Sequence, residues 1–251
     1  MIEDSGKTNK IRSVFTVKNK KYLTPHLIRV VFEIDKSQSK LLANVRSGSN
    51  NKILIPSAER EGNCLLRTYT NRKIDLENGE LSIDFVAHGD EGPASWWALQ
   101  AKEGDQLEIG MKESSRSLIP DADFYLLAGD ATALPVISAI VEQFPSYVTA
   151  KVILEVPGKE DELVLCSAAD ISVQWLHNPH PQKGSELVTT VKSVAIPSDI
   201  QKKYIYIAAE YTSVRELRDY FRTILNWDPQ GLYACSYWKA GQSESERPKG
   251  T

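Results

Sequence analysis

Residues 124–135 read Phe-Tyr-Leu-Leu-Ala-Gly-Asp-Ala-Thr-Ala-Leu-Pro, and their order decides the fold of the second half of the chain. Phe124–Ala128 is a continuous apolar run, as expected of a strand buried on both faces. Gly129 permits a tight turn, Asp130 and Thr132 can cap a helix, and Leu134–Phe144 carries apolar residues at helical spacing. Strands then recur at Ala150–Val156, Val173–Leu176, Tyr204–Ala209 and Leu232–Trp238, with helices near Glu186–Val194 and at Ser213–Leu225. Alternating strands and helices predict a parallel sheet with helices packed on it. Ligands of such sheets bind beyond the carboxyl ends of the strands.

Upstream of Pro120 the pattern differs. Ile11–Val17, Leu27–Ile34, Lys52–Ile55, Arg67–Asn71, Glu80–His88 and Gln106–Gly110 are short, rich in β-branched and apolar residues, and separated by turn residues. In Glu80–Ala87, Leu81, Ile83, Phe85 and Ala87 share one face, and Ser82 and Asp84 the other. One short helix interrupts, at Pro93–Ala101. The expected fold is a six-stranded antiparallel β-barrel over residues 1–119, followed by an α/β domain over 120–251.

A length of 251 residues favours two domains over one, and 41% apolar with 25% charged residues supports a sizeable core. A formal net charge of −3 argues against a dedicated nucleic-acid binder. No apolar run approaches the ~18 residues of a membrane helix. The start MIEDSGKTNK is polar and lacks an apolar signal segment, so secretion is not expected. Cys64, Cys166 and Cys235 are widely spaced, form no CxxC pair and fit a reducing cytoplasm. His26, His88, His177 and His180 show no metal-site spacing, and no GxSxG or Walker lysine occurs, so no metal centre and no hydrolase or phosphotransferase is expected.

Two stretches carry candidate chemistry. In Arg67-Thr68-Tyr69-Thr70, a strand sets Arg67 and Tyr69 on one face. An arginine fork suits a diphosphate, a tyrosine offers a flat face to a planar ring, and the Thr70 hydroxyl or the local backbone can bond a ring heteroatom. The same tetrapeptide also suits an ordinary exposed strand with a salt bridge. In His88-Gly-Asp-Glu-Gly92-Pro-Ala-Ser-Trp-Trp97, Gly92 and Pro93 start a helix whose first N–H groups, at Ala94, Ser95 and Trp96, would face outward and attract phosphate. A plain surface helix start is the alternative. The two stretches lie within ~30 residues of each other, so one diphosphate-linked flavin could touch both.

This layout resembles the ferredoxin-reductase superfamily, a flavin-binding barrel followed by a nicotinamide-binding domain. Asp84-Phe-Val-Ala-His-Gly, Gly92-Pro-Ala-Ser-Trp-Trp-Ala, Leu127-Ala-Gly-Asp-Ala-Thr-Ala-Leu-Pro135, Ala208-Ala-Glu and Tyr237-Trp-Lys-Ala-Gly241 occur in this order. The series is similar to the siderophore-interacting protein family of flavin-dependent ferric-siderophore reductases, over about residues 11–241. The resemblance implies FAD as cofactor, NADH, NADPH or a reduced ferredoxin as donor, and a cytoplasmic ferric siderophore as acceptor. It further implies that Arg67, Tyr69, Thr70, Asp84, Val86, His88, Gly92, Ala94 and Ser95 hold the flavin, with Trp238 close to it. Tyr211 stands where a small residue is common in the family, which bears on a nicotinamide site.

Gly129–Pro135 lacks GxGxxG, and Thr132 is placed in it as a cofactor contact. Glu155, at a strand end, reads either as a ribose ligand favouring NADH or as a solvated loop carboxylate. An anionic chelate calls for positive charge, for which Lys52, Arg116, Lys239 and Arg247 are the candidates, Lys52 by alignment with a basic family position. No side chain is assigned as an acid–base catalyst, because outer-sphere transfer to iron needs none. A monomer that binds neither nucleic acid nor membrane is expected. The alternatives are a general NAD(P)H-dependent flavin reductase and a non-catalytic siderophore-binding flavoprotein.

Overall fold

The computed structural model describes residues 10–56, 64–87, 92–113 and 117–242. They form two compact units, one comprising the chain up to Tyr22 and Ile28–Leu118, the other Leu23–Leu27 and Ile119 onward. The short Leu23–Leu27 turn joins the second unit through buried Asp161, which accepts from Thr24 Oγ1 at 2.7 Å and from the His26 N–H at 3.0 Å.

The first unit is a sheet of seven strands: β1 (Lys10–Thr24), β2 (Leu27–Glu33), β3 (Asn50–Pro56), β4 (Cys64–Thr70), β5 (Lys73–Asp75), β6 (Glu80–Val86) and β7 (Gln106–Lys112). Their order is β4-β3-β7-β1-β2-β6-β5. The sheet curls so that β4, at one end of the order, comes against β6 near the other: the Tyr69 and Phe85 rings lie 4.6 Å apart. Phe15, Phe32, Ile53, Ile83, Phe85 and Ile109 fill the interior. The strand count is seven rather than six because β5 is three residues long, too short to show a period of two. Sequence periodicity also passes over helix α1 (Lys36–Leu42), which opens on a capping box between Asp35 and Gln38. Helix α2 (Pro93–Gln100) lies where the sequence places it, with Trp97 buried against Phe32 and Phe85.

The second unit is a five-stranded sheet, β8 (Phe124–Asp130), β9 (Thr149–Val156), β10 (Asp170–His177), β11 (Lys203–Glu210) and β12 (Leu232–Trp238), parallel throughout in the order β10-β9-β8-β11-β12. Central β8 is buried at every position, which is why it reads as an unbroken apolar run. Phe124, Leu126, Ala128, Ile205 and Ile207 pack with α4 (Leu187–Lys192) and α5 (Tyr211–Asp219) through Val188, Val191, Val214 and Leu217. α3 (Leu134–Val141) follows β8 after the turn at residues 131–133, and Gly129 itself belongs to the strand rather than to the turn the sequence suggests. A Cβ at Gly129 would come within 2.5 Å of Ala133 Cβ and 2.7 Å of Ala208 O, so close packing demands glycine there.

Candidate functional site

Antiparallel pairing of β3 with β4 sets Asn51 opposite Tyr69, Lys52 opposite Thr68 and Ile53 opposite Arg67. Arg67 and Tyr69 therefore share one face of the sheet with Asn51 and Ile53, as alternation requires. Arg67 is half-buried, and among the described residues its guanidinium reaches only the Leu66 carbonyl, at 2.9 Å. Tyr69 rests one ring face on Phe85 and stays half-buried. Thr70 ends the strand and is buried. Lys52 is exposed, with its ammonium on Thr68 Oγ1, and belongs to the opposite face of the ladder from Arg67 and Tyr69.

Asp84 is buried, as is Ser82 on the same face of β6. Arg29 grips its carboxylate with two bonds, Nε to Oδ1 at 2.6 Å and Nη2 to Oδ2 at 2.7 Å. Arg72 stands 3.9 Å from the same carboxylate. Asp84 is thus a brace between β2, β6 and the end of β4, and Arg72 completes a buried ionic cluster that sequence reasoning misses. Its one signal is a charged residue directly after the Tyr-Thr-Asn run. Val86 closes β6, half-buried.

Helix α2 starts at Gly92, which provides no side-chain cap, and Pro93 fills the first turn. Ala94 and Ser95 are buried at that start. Cationic Arg67, the ring of Tyr69 and a helix start without an acidic cap make a donor set of the kind a flavin diphosphate needs. Asn51 adds a buried amide oxygen with no bonding partner among the described residues, directly opposite Tyr69 in the ladder. In the first unit the residues present therefore fit FAD.

At the carboxyl edge of the second sheet, Asp130 accepts from Thr132 N at 2.9 Å and Thr132 Oγ1 at 2.5 Å, both on Oδ1. Its Oδ2 accepts from Glu210 N at 2.9 Å and from the Trp238 indole at 2.7 Å. Thr132 and Trp238, placed separately by the sequence, are brought together by this one carboxylate. Burial pushes Asp130 above the ordinary carboxylate range, with the hydrogen bonds pulling against it. Glu155 pairs with Asp130 in the β8–β9 register and is also buried, accepting from Asn178 Nδ2 at 3.0 Å and Ser185 Oγ at 2.7 Å. This corrects the reading of Glu155 as a solvated loop carboxylate. Burial raises its carboxyl too.

Lys239 lies over the Tyr211 ring at 4.9 Å, and Arg215 approaches the same ring at 5.9 Å. Tyr211, anomalous in the sequence, is here a platform for two cations. Tyr237 bonds Tyr206 through their hydroxyls at 3.1 Å, and burial pushes Tyr237 up to about 12, so it stays a neutral phenol. His88, Arg116 and Arg247 lie outside the described residues.

Comparison with known proteins matches residues 38–114 to the siderophore-interacting FAD-binding domain and residues 122–241 to the siderophore-interacting protein model. The chain is 30% identical to the ferric vibriobactin reductase ViuB of Vibrio cholerae over 241 residues, covering 90% of this chain and 88% of that protein. The chain belongs to the siderophore-interacting protein family. The crystal structure of the siderophore-interacting protein SipS from Aeromonas hydrophila superposes with a TM-score of 0.80 at 31% identity, over 93% of this chain and 94% of that one. A ferredoxin NADP+ reductase from Neisseria gonorrhoeae shares the fold, with a TM-score of 0.60 at 12% identity over 90% of this chain and 98% of its own.

Proposed function

We propose that this family member is an FAD-dependent reductase of ferric siderophores, acting as a monomer in the cytoplasm. The observation that carries the reading is the Arg67–Tyr69 face with the bare α2 start, within the segment matched to the siderophore-interacting FAD-binding domain. Arg67 and the N–H groups at Ala94 and Ser95 hold the diphosphate, and Tyr69 offers its ring to the isoalloxazine. Asp84 acts at one remove, holding Arg29 and Arg72 in place. Bound FAD supplies electrons that pass singly to Fe³⁺ in the chelate. The electrons enter from a reduced carrier, a nicotinamide or an iron–sulfur protein.

No protein group needs to donate or take a proton for outer-sphere transfer, and the tyrosines of β11 and β12 are held neutral. The protein's part is to bind, orient and attract. Lys52 is exposed to meet an anionic chelate, and Lys239 with Arg215 concentrates charge around Tyr211. Reduction to Fe²⁺ weakens binding by hard oxygen donors, so the iron can leave.

The relatives support the same reading: ViuB of Vibrio cholerae is named a ferric vibriobactin reductase, and a 27% identical protein of Acinetobacter baumannii a ferric acinetobactin reductase. Mixing the reduced holoprotein with a panel of ferric chelates under nitrogen tests it. The expected result is reoxidation whose rate rises with ferric siderophore concentration. Equal rates with unrelated acceptors would indicate a general flavin reductase, and chelate binding without reoxidation a non-catalytic binding protein.

A further inference from the structure

The second unit has the fold of a nicotinamide-binding domain, yet the residues at its sheet edge do not fit a dinucleotide. A pyrophosphate at such an edge needs backbone N–H groups free at the strand–helix turns, glycine where the chain approaches it, and no like charge beside it. Here the Thr132 N–H is held by the Asp130 carboxylate and the Ala133 N–H by the Asp130 carbonyl at 2.9 Å. Pro135, in the first turn of α3, has no N–H to offer. On the neighbouring turn the Glu210 N–H is held by Asp130, and the Thr212 N–H by Glu210's own carboxylate. The space beside Gly129 is filled by Ala133 and Ala208, so this glycine serves packing rather than ligand approach.

Charge adds to the same effect. Asp130 and Glu210 end β8 and β11, Glu155 is the penultimate residue of neighbouring β9, and Asp130 and Glu155 are buried. Every bond to the Asp130 and Glu155 side chains comes from a donor, so each is satisfied as an anion. A pyrophosphate would have to break these bonds and lie against two carboxylates shielded from water.

We infer that Asp130 and Glu155 are specificity-determining residues for the electron donor: their carboxylates take the place of a pyrophosphate at the carboxyl edge of the second sheet and shut NADH and NADPH out of it. The donor class left is a reductant that needs no pyrophosphate cradle, such as a reduced iron–sulfur protein. That consequence rests on the flavin-reductase reading, whereas the closure itself is a statement about nucleotide binding and stands or falls without it.

The test is calorimetric titration of the full-length holoprotein with NAD⁺ and NADP⁺, with hydrogen exchange monitored at residues 129–133 and 210–212. The wild type is expected to give no saturable binding and no protection in either segment. Glu155→Gln and Asp130→Asn remove charge while keeping shape, and each is expected to raise dinucleotide affinity by about tenfold or more, with protection appearing at those segments. Glu155→Gln leaves every bond to Asp130 intact, so it decides the matter if Asp130→Asn does not fold. Saturable wild-type binding with protection there would overturn the inference. So would a folded Glu155→Gln protein that gains nothing.

Discussion

Two helix starts in this chain, one in each unit, meet the same electrostatic problem in opposite ways. At α2 the cap is a glycine without a side chain and the first residue is proline, so no acidic residue stands in the first turn of the helix. At α5 the cap is Glu210, whose side chain accepts from Thr212 N, while Asp130 takes the Glu210 N–H. The helix dipole is common to both and cannot distinguish them. What differs is the cap: a glycine that offers no side chain at α2, a glutamate that takes a first-turn N–H at α5. The carboxyl edge of the second sheet thus carries carboxylates whose bonds are made within the unit, while the first unit sets Arg67 and Tyr69 on one sheet face and starts α2 on a glycine.

That contrast breaks most severely if the braces under the open face are removed. Asp84→Ala strips the partner from half-buried Arg29 and from buried Arg72 and is expected to cost about 3–5 kcal/mol, read from the denaturant midpoint. A loss within experimental error would mean that the Arg29–Arg72 cluster does not support the strand carrying Arg67. Arg67→Ala tests the open face itself. It is expected to weaken FAD binding about 10–100-fold with the fold intact, as measured by fluorescence quenching on titration. On the closed side, Trp238→Phe removes one donor from Asp130 and is expected to cost about 1–2 kcal/mol of stability. Unchanged stability would show that the indole bond to Asp130 contributes nothing. The smallest effect is expected from Lys52→Ala, a roughly two- to tenfold loss of ferric chelate affinity that shrinks at high salt, with FAD affinity unchanged. A matching loss of FAD affinity would place Lys52 at the cofactor instead.

Much of this contrast is legible in the residues. The switch from strand-rich sequence to βα alternation after Pro120 emerges from pattern alone, because buried β8 has no polar face to hide and α3 is apolar but for Ser138 and buried throughout. The seventh strand and the first helix escape because three residues show no period, and because the α1 signal lies in its capping box rather than in a long apolar stripe. Arg67, Tyr69 and the Gly92–Pro93 helix start are local motifs and can be read in place. Asp84 is marked by its family position, yet its partners Arg29 and Arg72 come from other strands, and no spacing rule joins residues brought together by a curled sheet. Asp130 reads in sequence only as a helix cap. Its bonds to Glu210 N and Trp238, 80 and 108 residues away, exist only once β8, β11 and β12 lie side by side. Glu155 misleads for the same reason, since the Asn178 and Ser185 side chains that bury it arrive from beyond β10.

The central claim is that the first unit holds its flavin by the diphosphate. Titrating the flavin-free protein with FAD and with riboflavin, which shares the ring but has no phosphate, tests this most directly. The predicted result is saturable FAD binding tighter than riboflavin by about 100-fold or more. Equal affinity for the two, or no binding of either, would contradict it.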